Sequence, residues 1–186
     1  MTTRPRILMF GLCLILLSLF ASAAYAQGAT PAKTEARAGA EPPASSGTVL
    51  LEVSGEVERP QKFTSADLAK LPRTTLSARG HDEKQRRFDG VMLVEILKLA
   101  GVPLGKELRG KNMSLYVVVE AADGYRAVFA LVELDPDFAS QPPLLADASE
   151  GKPLSKEEGP LRLVAVGDKK HGRWVRQIVR IVVRRA

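Results

Sequence analysis

The chain has one cysteine, Cys13, and it lies inside an apolar run near the N-terminus. From Gln27 to Ala186 there is no thiol. Disulfides, thiolate metal ligands and cysteine nucleophiles are therefore excluded from that stretch. Whatever folds there must be held by buried apolar surface and backbone hydrogen bonds.

Cys13 belongs to a segment with the three parts of a secretory signal. Arg4 and Arg6 charge its start, Ile7 to Phe20 are apolar, and Ala24-Tyr25-Ala26 offers a small-x-small cleavage site. A cleaved signal peptide is expected over residues 1–26. The apolar run is shorter than the roughly 20 residues that a permanent span needs. Cys13 is followed by Leu14-Ile15-Leu16-Leu17, whereas a lipoprotein cysteine would close the run. Pro5 separates Arg4 from Arg6, so no twin-arginine pair is present. The expectation is export of an unfolded chain by the ordinary route, to the periplasm or beyond, with no membrane contact after cleavage.

Gly28 to Gly47 read GATPAKTEARAGAEPPASSG, without one large apolar residue. Such a stretch cannot bury enough surface to offset its ordering entropy. Residues 27–47 are expected to be a disordered linker, spanning roughly 25 Å as a coil. A single domain should then occupy residues 48–186. Removing residues 1–26 takes two of the 27 basic residues and none of the 21 acidic ones, leaving a surplus of four. That mild charge does not suit a dedicated nucleic-acid binder.

Thr48 to Ser54 is β-branched and apolar and stops at Gly55, which predicts a strand. Thr64-Ser-Ala-Asp67 predicts a capped helix start, with Leu68 and Leu71 apolar and Pro72 ending the helix. Thr74–Arg79 and Arg86–Phe88 are extended around a polar loop from His81 to Lys84. Leu93, Ile96, Leu97 and Ala100 form an i, i+3, i+4, i+7 stripe, followed by Gly101 and Pro103, which predicts a second short helix. Met113–Ala121 and Tyr125–Leu131 predict a hairpin closed by a two-residue Asp123-Gly124 turn. Pro143–Ala146, Leu161–Val166 and Gln177–Val183 predict further strands. The class is α+β: mixed β-sheets with short helices.

In order and spacing, several segments resemble the oxidoreductase molybdopterin-binding domain of the sulfite oxidase family. They are Leu51-Glu-Val-Ser-Gly-Glu-Val57 with Pro60, Phe63-Thr-Ser-Ala-Asp-Leu68, Leu71-Pro72 and Phe88-Asp-Gly-Val-Met-Leu93. They continue with Ala122-Asp-Gly-Tyr125, Gly159-Pro-Leu-Arg-Leu163 and Arg173-Trp-Val-Arg-Gln-Ile178. The resemblance implies mixed sheets with short helices. In catalytic members it also implies a molybdenum ion held by a pterin dithiolene and one protein cysteine. That cysteine belongs on the segment that here reads Arg73-Thr-Thr-Leu-Ser-Ala-Arg-Gly80, where Ser77 or Ala78 takes its place. A serine hydroxyl is a harder ligand than thiolate and less basic at neutral pH. Catalytic relatives are also longer, and exported carriers of the pterin leave the cytoplasm folded. No cofactor is therefore expected, although the resemblance admits molybdopterin.

Candidate site residues follow from the residues and from the resemblance together. The loop Gly167–Arg173 offers Lys169, Lys170, His171 and Arg173 as charge-assisted donors for a small anion, or is a solvated charged loop. Arg162 alternates with Leu161 and Leu163, and the resemblance faces it toward the cofactor cleft. Otherwise it pairs with Glu157 or Glu158, since an inward arginine needs a partner. Asp123 and Tyr125 match a family motif, but a hairpin turn also explains Asp123-Gly124. Ser77 is the one hydroxyl candidate for the metal position. Trp174 is expected to be a core plug. His81 and His171 are the only histidines and lack the spacing of a zinc site. Arg176, Arg180 and Arg184 recur every four residues, but the apolar residues between them favour a strand over a basic membrane helix.

Three functions follow as expectations. The first is a cofactor-free module that binds a small anionic ligand or a periplasmic protein partner in the old cleft. The second is a molybdopterin-dependent oxidoreductase working with a redox partner. The third is a sensory or assembly domain tethered by residues 27–47 and acting through protein contacts alone.

Overall fold

A computed structural model describes residues 47–80 and 82–186. The signal peptide, nearly all of the expected linker and His81 lie outside the described residues.

Among the described residues, ten strands form two sheets, flanked by two short α-helices. They are β1 (Val49–Gly55), β2 (Gln61–Thr64), α1 (Ser65–Ala69), β3 (Arg73–Arg79), β4 (Gln85–Met92) and α2 (Leu93–Leu99). Then follow β5 (Leu115–Ala121), β6 (Arg126–Ala130), β7 (Leu144–Ser149), β8 (Lys152–Pro153), β9 (Arg162–Val164) and β10 (Ile178–Arg185). The first sheet runs β2-β1-β10-β5-β6. It is mixed, because β1 pairs with β10 in parallel and the other neighbours are antiparallel. The second runs β3-β4-β7, with β9 on the first half of β7's far edge and β8 on the second half. This is the α+β arrangement of mixed sheets and short helices expected from the sequence.

Local chemistry accounts for the helices. Thr64 is the N-cap of α1 in a reciprocal capping box: its hydroxyl and backbone N–H both meet the Asp67 carboxylate, and the Asp67 N–H donates back to the hydroxyl. In α2 the predicted stripe is buried, with Leu93, Ile96, Leu97 and Ala100 all 0 % exposed. These residues join Phe88, Phe129, Leu144 and Ile181 in one apolar core.

Three details differ from the sequence reading. β4 runs past the expected Arg86–Phe88 through Gly90 and Val91 to Met92, directly before α2, and it pairs with β7 through a register shift at Asp89/Gly90. Gly90 is required there, because a Cβ would stand 2.1 Å from the Leu145 carbonyl oxygen. Met113 is not in β5; residues 110–114 form a 3-10 turn before it. The β5–β6 connection is a three-residue loop, not a two-residue turn. Ala121 N–H donates to Tyr125 O, Gly124 N–H donates to Ala121 O, and Gly124 holds φ +87°. This is a turn followed by a left-handed bulge, a geometry that also selects Gly after Asp. β2 was not predicted at all; its four residues alternate too briefly to show a pattern.

Candidate functional site

The two sheets meet where the chain passes from residue 174 to β10. Leu163 N–H donates to Val175 O and Ile178 N–H to Leu161 O, which ties this segment to β9. Ala122 N–H donates to Gln177 O, which ties it to the β5–β6 loop, and Gln177 N–H donates to Glu158 O on the approach to β9. Gln177 lies at φ +49°, left-handed and unfavourable for a residue with a side chain, and these two bonds hold it there.

A cleft of about 860 Å³ opens at this seam. The β3–β4 hairpin supplies Asp82 and Arg86, and the β5–β6 loop supplies Asp123 and Tyr125. Glu157, Glu158 and Arg162 form the wall before and at the start of β9; His171, Trp174, Arg176 and Gln177 close the remainder.

Arg162 is the buried charge of this cleft, its side chain only 5 % exposed. Its Nη1 donates to Glu158 Oε1, four residues earlier on the same approach to β9. The guanidinium lies 5.4 Å from the ring centres of both Phe88 and Trp174, a cation–π seat. Its Nε is buried and has no hydrogen-bond partner. Burial pulls its pKa below that of an ordinary arginine; Glu158 opposes this, and nearby Arg176 and Arg86 add to it. A buried N–H without an acceptor costs about 1–3 kcal/mol, so the site is under-satisfied in anionic partners.

The surrounding groups fix the walls. Trp174 Nε1 donates to Ala165 O at 2.9 Å, and its ring meets the edge of His171 at a centroid distance of 4.4 Å. His171 Nε2 donates to the Arg79 carbonyl oxygen at 2.9 Å, joining the 3-10 turn His171–Arg173 to the end of β3. The Tyr125 hydroxyl donates to Gly172 O at 2.6 Å and spans the mouth from the opposite sheet. Asp82 pairs with Arg86 at 2.8 Å.

Of the residues singled out from sequence, the structure gathers Arg162, His171, Asp123 and Tyr125 around the cleft. Lys169 and Lys170 are exposed and are not on its wall. Arg173 faces away, into a second cavity of about 410 Å³. There Asp168 holds it through two bonds of 2.8 and 2.5 Å, Glu133 meets Nη1 at 3.1 Å, and the Phe129 ring lies 4.2 Å from the guanidinium. Its donors are engaged by these carboxylates, so it does not join the others in holding an anion. Ser77 is exposed on the outer face of β3, whereas Ala78 is 7 % exposed and packs in the core. Alternation along the strand therefore places an alanine methyl, not the serine hydroxyl, on the inner side. Arg86, Glu157, Arg176 and Asp82 were not singled out for the cleft. Only the Glu158–Arg162 spacing was readable in advance, as one of two offered partners.

A five-stranded mixed sheet joined to an antiparallel one, with a charged cleft at their seam, defines an α+β binding scaffold. The model of the oxidoreductase molybdopterin binding domain matches residues 39–186, and the chain belongs to that family. Among solved structures it is similar to the sulfane dehydrogenase SoxCD from Paracoccus pantotrophus, at 26% identity and a TM-score of 0.57. That likeness covers 72% of this chain and 37% of the dehydrogenase chain, so this chain spans little more than a third of its relative. No curated protein sequence matches.

The family implies a molybdenum cofactor, and the donor set can be tested against it. On β3, where the resemblance places the metal's cysteine at Ser77 or Ala78, the inward residue is Ala78, and no residue of the segment carries sulfur. Among the described residues no three histidines, cysteines or carboxylates gather to hold a metal ion. The arginines of the cleft wall, Arg86, Arg162 and Arg176, are accompanied by four carboxylates, those of Asp82, Asp123, Glu157 and Glu158, so the wall is not the basic lining that a phosphorylated pterin needs. These residues do not fit the loaded cofactor.

Proposed function

We propose that this chain is an exported, cofactor-free member of the molybdopterin-binding family that seats a small anion against Arg162. The observation that carries the reading is the Arg162 guanidinium on the cleft wall: buried between two rings and matched by a single carboxylate. A singly charged anion entering the cleft would meet Arg162 where it lines the wall, beside Arg176, and gain charge-assisted bonds there. Export rests on the pattern of residues 1–26, which suits a chain threaded unfolded and delivered without a cofactor. A periplasmic protein partner bearing an acidic side chain would meet the same group.

The rival is a molybdopterin-dependent oxidoreductase with a redox partner, favoured by the family itself and opposed by the alanine at the ligand position. The test of the first reading is a nuclear magnetic resonance titration with methanesulfonate at constant ionic strength in chloride-free buffer. Saturable shifts at the Trp174 indole and the Arg162 guanidinium are expected, and Arg162→Met should abolish them while the remaining spectrum stays folded. Shifts that are absent in the native protein, or unchanged in Arg162→Met, would overturn it.

A further inference from the structure

The cleft is not uniformly basic. Two of its charges are matched internally, Arg86 by Asp82 at 2.8 Å and Arg162 by Glu158. Subtracting these pairs leaves Arg176, Asp123 and Glu157 as the wall's unmatched charges: among the described residues, none of the three forms an ion pair. Asp123 uses one oxygen to accept the Tyr125 N–H at 2.9 Å, which fixes the carboxylate at the end of the β5–β6 loop. Glu157 accepts from the Ser155 hydroxyl. Both carboxylates are on exposed residues at the mouth, whereas Arg162 is buried.

A ligand with negative charge alone would satisfy Arg162 and Arg176 but meet two unneutralised carboxylates on its way in. A ligand with positive charge alone would face Arg162 and Arg176 on the same wall. We infer that the cleft takes a small zwitterion, its carboxylate or sulfonate toward Arg162 and Arg176 and its ammonium toward Asp123 and Glu157. This rests on the anion-binding reading of the same cleft and adds to it the opposite charge. Each ammonium–carboxylate contact at a solvated mouth is worth a fraction of a kcal/mol, so two of them give about a tenfold preference.

Three probes of similar size separate the terms in calorimetric or resonance titrations of the folded chain: taurine, ethanesulfonate and ethylamine. Taurine should bind about tenfold more tightly than ethanesulfonate, with ethylamine weakest. The double variant Asp123→Asn, Glu157→Gln keeps the acceptor oxygens facing Tyr125 and Ser155, and should reduce taurine to the affinity of ethanesulfonate. Equal binding of taurine and ethanesulfonate by the native protein overturns the zwitterion while the anion reading stands. A taurine preference that survives the double variant also overturns it. Failure of both sulfonates to bind removes both readings.

Discussion

Arg180 on β10 holds Glu120 on β5 at 3.1 Å, and this pair is the centre of a rung of charge crossing the whole first sheet. Lys62 meets Glu52 at 3.8 Å, Glu52 meets Arg180 at 3.7 Å, and Glu120 meets Arg126 at 3.0 Å. Each of the five strands contributes one residue, and the signs alternate in the order β2-β1-β10-β5-β6. The register places these residues opposite one another, so each charge faces its opposite and none faces its like.

Glu120 is the most enclosed member, its side chain 12 % exposed against 70 % for Lys62. Glu120→Ala separates two arginines from their shared acceptor and should cost about 1–2 kcal/mol in urea unfolding. Lys62→Ala, at the solvated end of the rung, should stay within about 0.5 kcal/mol. Equal losses would show that the rung acts as a row of independent surface pairs.

Gly90→Ala should be far more damaging than a surface glycine change. The new methyl would lie 2.1 Å from Leu145 O and 2.6 Å from the Ala146 Cα, both backbone, so β4 and β7 must separate. A loss of at least about 2 kcal/mol is expected, since a strand pair cannot yield as a flexible side chain does. The control is Gly151→Ala at the β7–β8 turn. Its Cβ meets nothing within 4 Å, and its cost comes from its φ of +72° alone.

How much of this was legible in the sequence depends on the range of the interaction. Thr64, Asp67 and the α2 stripe act within one or two turns of chain, so their residue types show directly what they do. The β5–β6 loop was read as a hairpin but with the wrong turn, because Asp-Gly serves both two- and three-residue loops. The cleft required tertiary information. Arg86 and Arg176 are 90 residues apart and reach the same cleft only because the β3–β4 hairpin and the approach to β10 converge. Arg173 was misplaced for a related reason: its loop is basic as a string, but Asp168 and Glu133 fold back and take its donors.

Arg173 serves as a clamp. Its bonds to Asp168 and Glu133 fix the turn that carries His171 and Trp174 to the cleft, and they raise its pKa above the usual arginine value, with the Asp168 bond the largest cause. Arg173→Lys keeps the charge but not the two-pronged geometry. It should cost about 1–2 kcal/mol and increase amide exchange across residues 168–174. Unchanged exchange there would mean that the turn is held without Arg173, by the His171–Arg79, Tyr125–Gly172 and Trp174–Ala165 bonds.

The Ser155 hydroxyl donates to Glu157 and holds its carboxyl below the usual carboxylate range. A folded pKa below the unfolded one means the contribution to stability is present above the unfolded pKa and lost as pH falls through the folded one. Glu157 therefore stays charged at the cleft mouth into mildly acidic solution. In a carboxyl resonance titration Ser155→Ala should move its midpoint upward; an unmoved midpoint would remove the hydroxyl from the account.

Metal and pterin analysis of protein purified from its native compartment tests the central claim most directly. A chain whose β3 carries no sulfur, where the resemblance places a thiolate, should carry neither stoichiometric molybdenum nor pterin fluorescence. Molybdenum at one equivalent together with that fluorescence would contradict the cofactor-free reading.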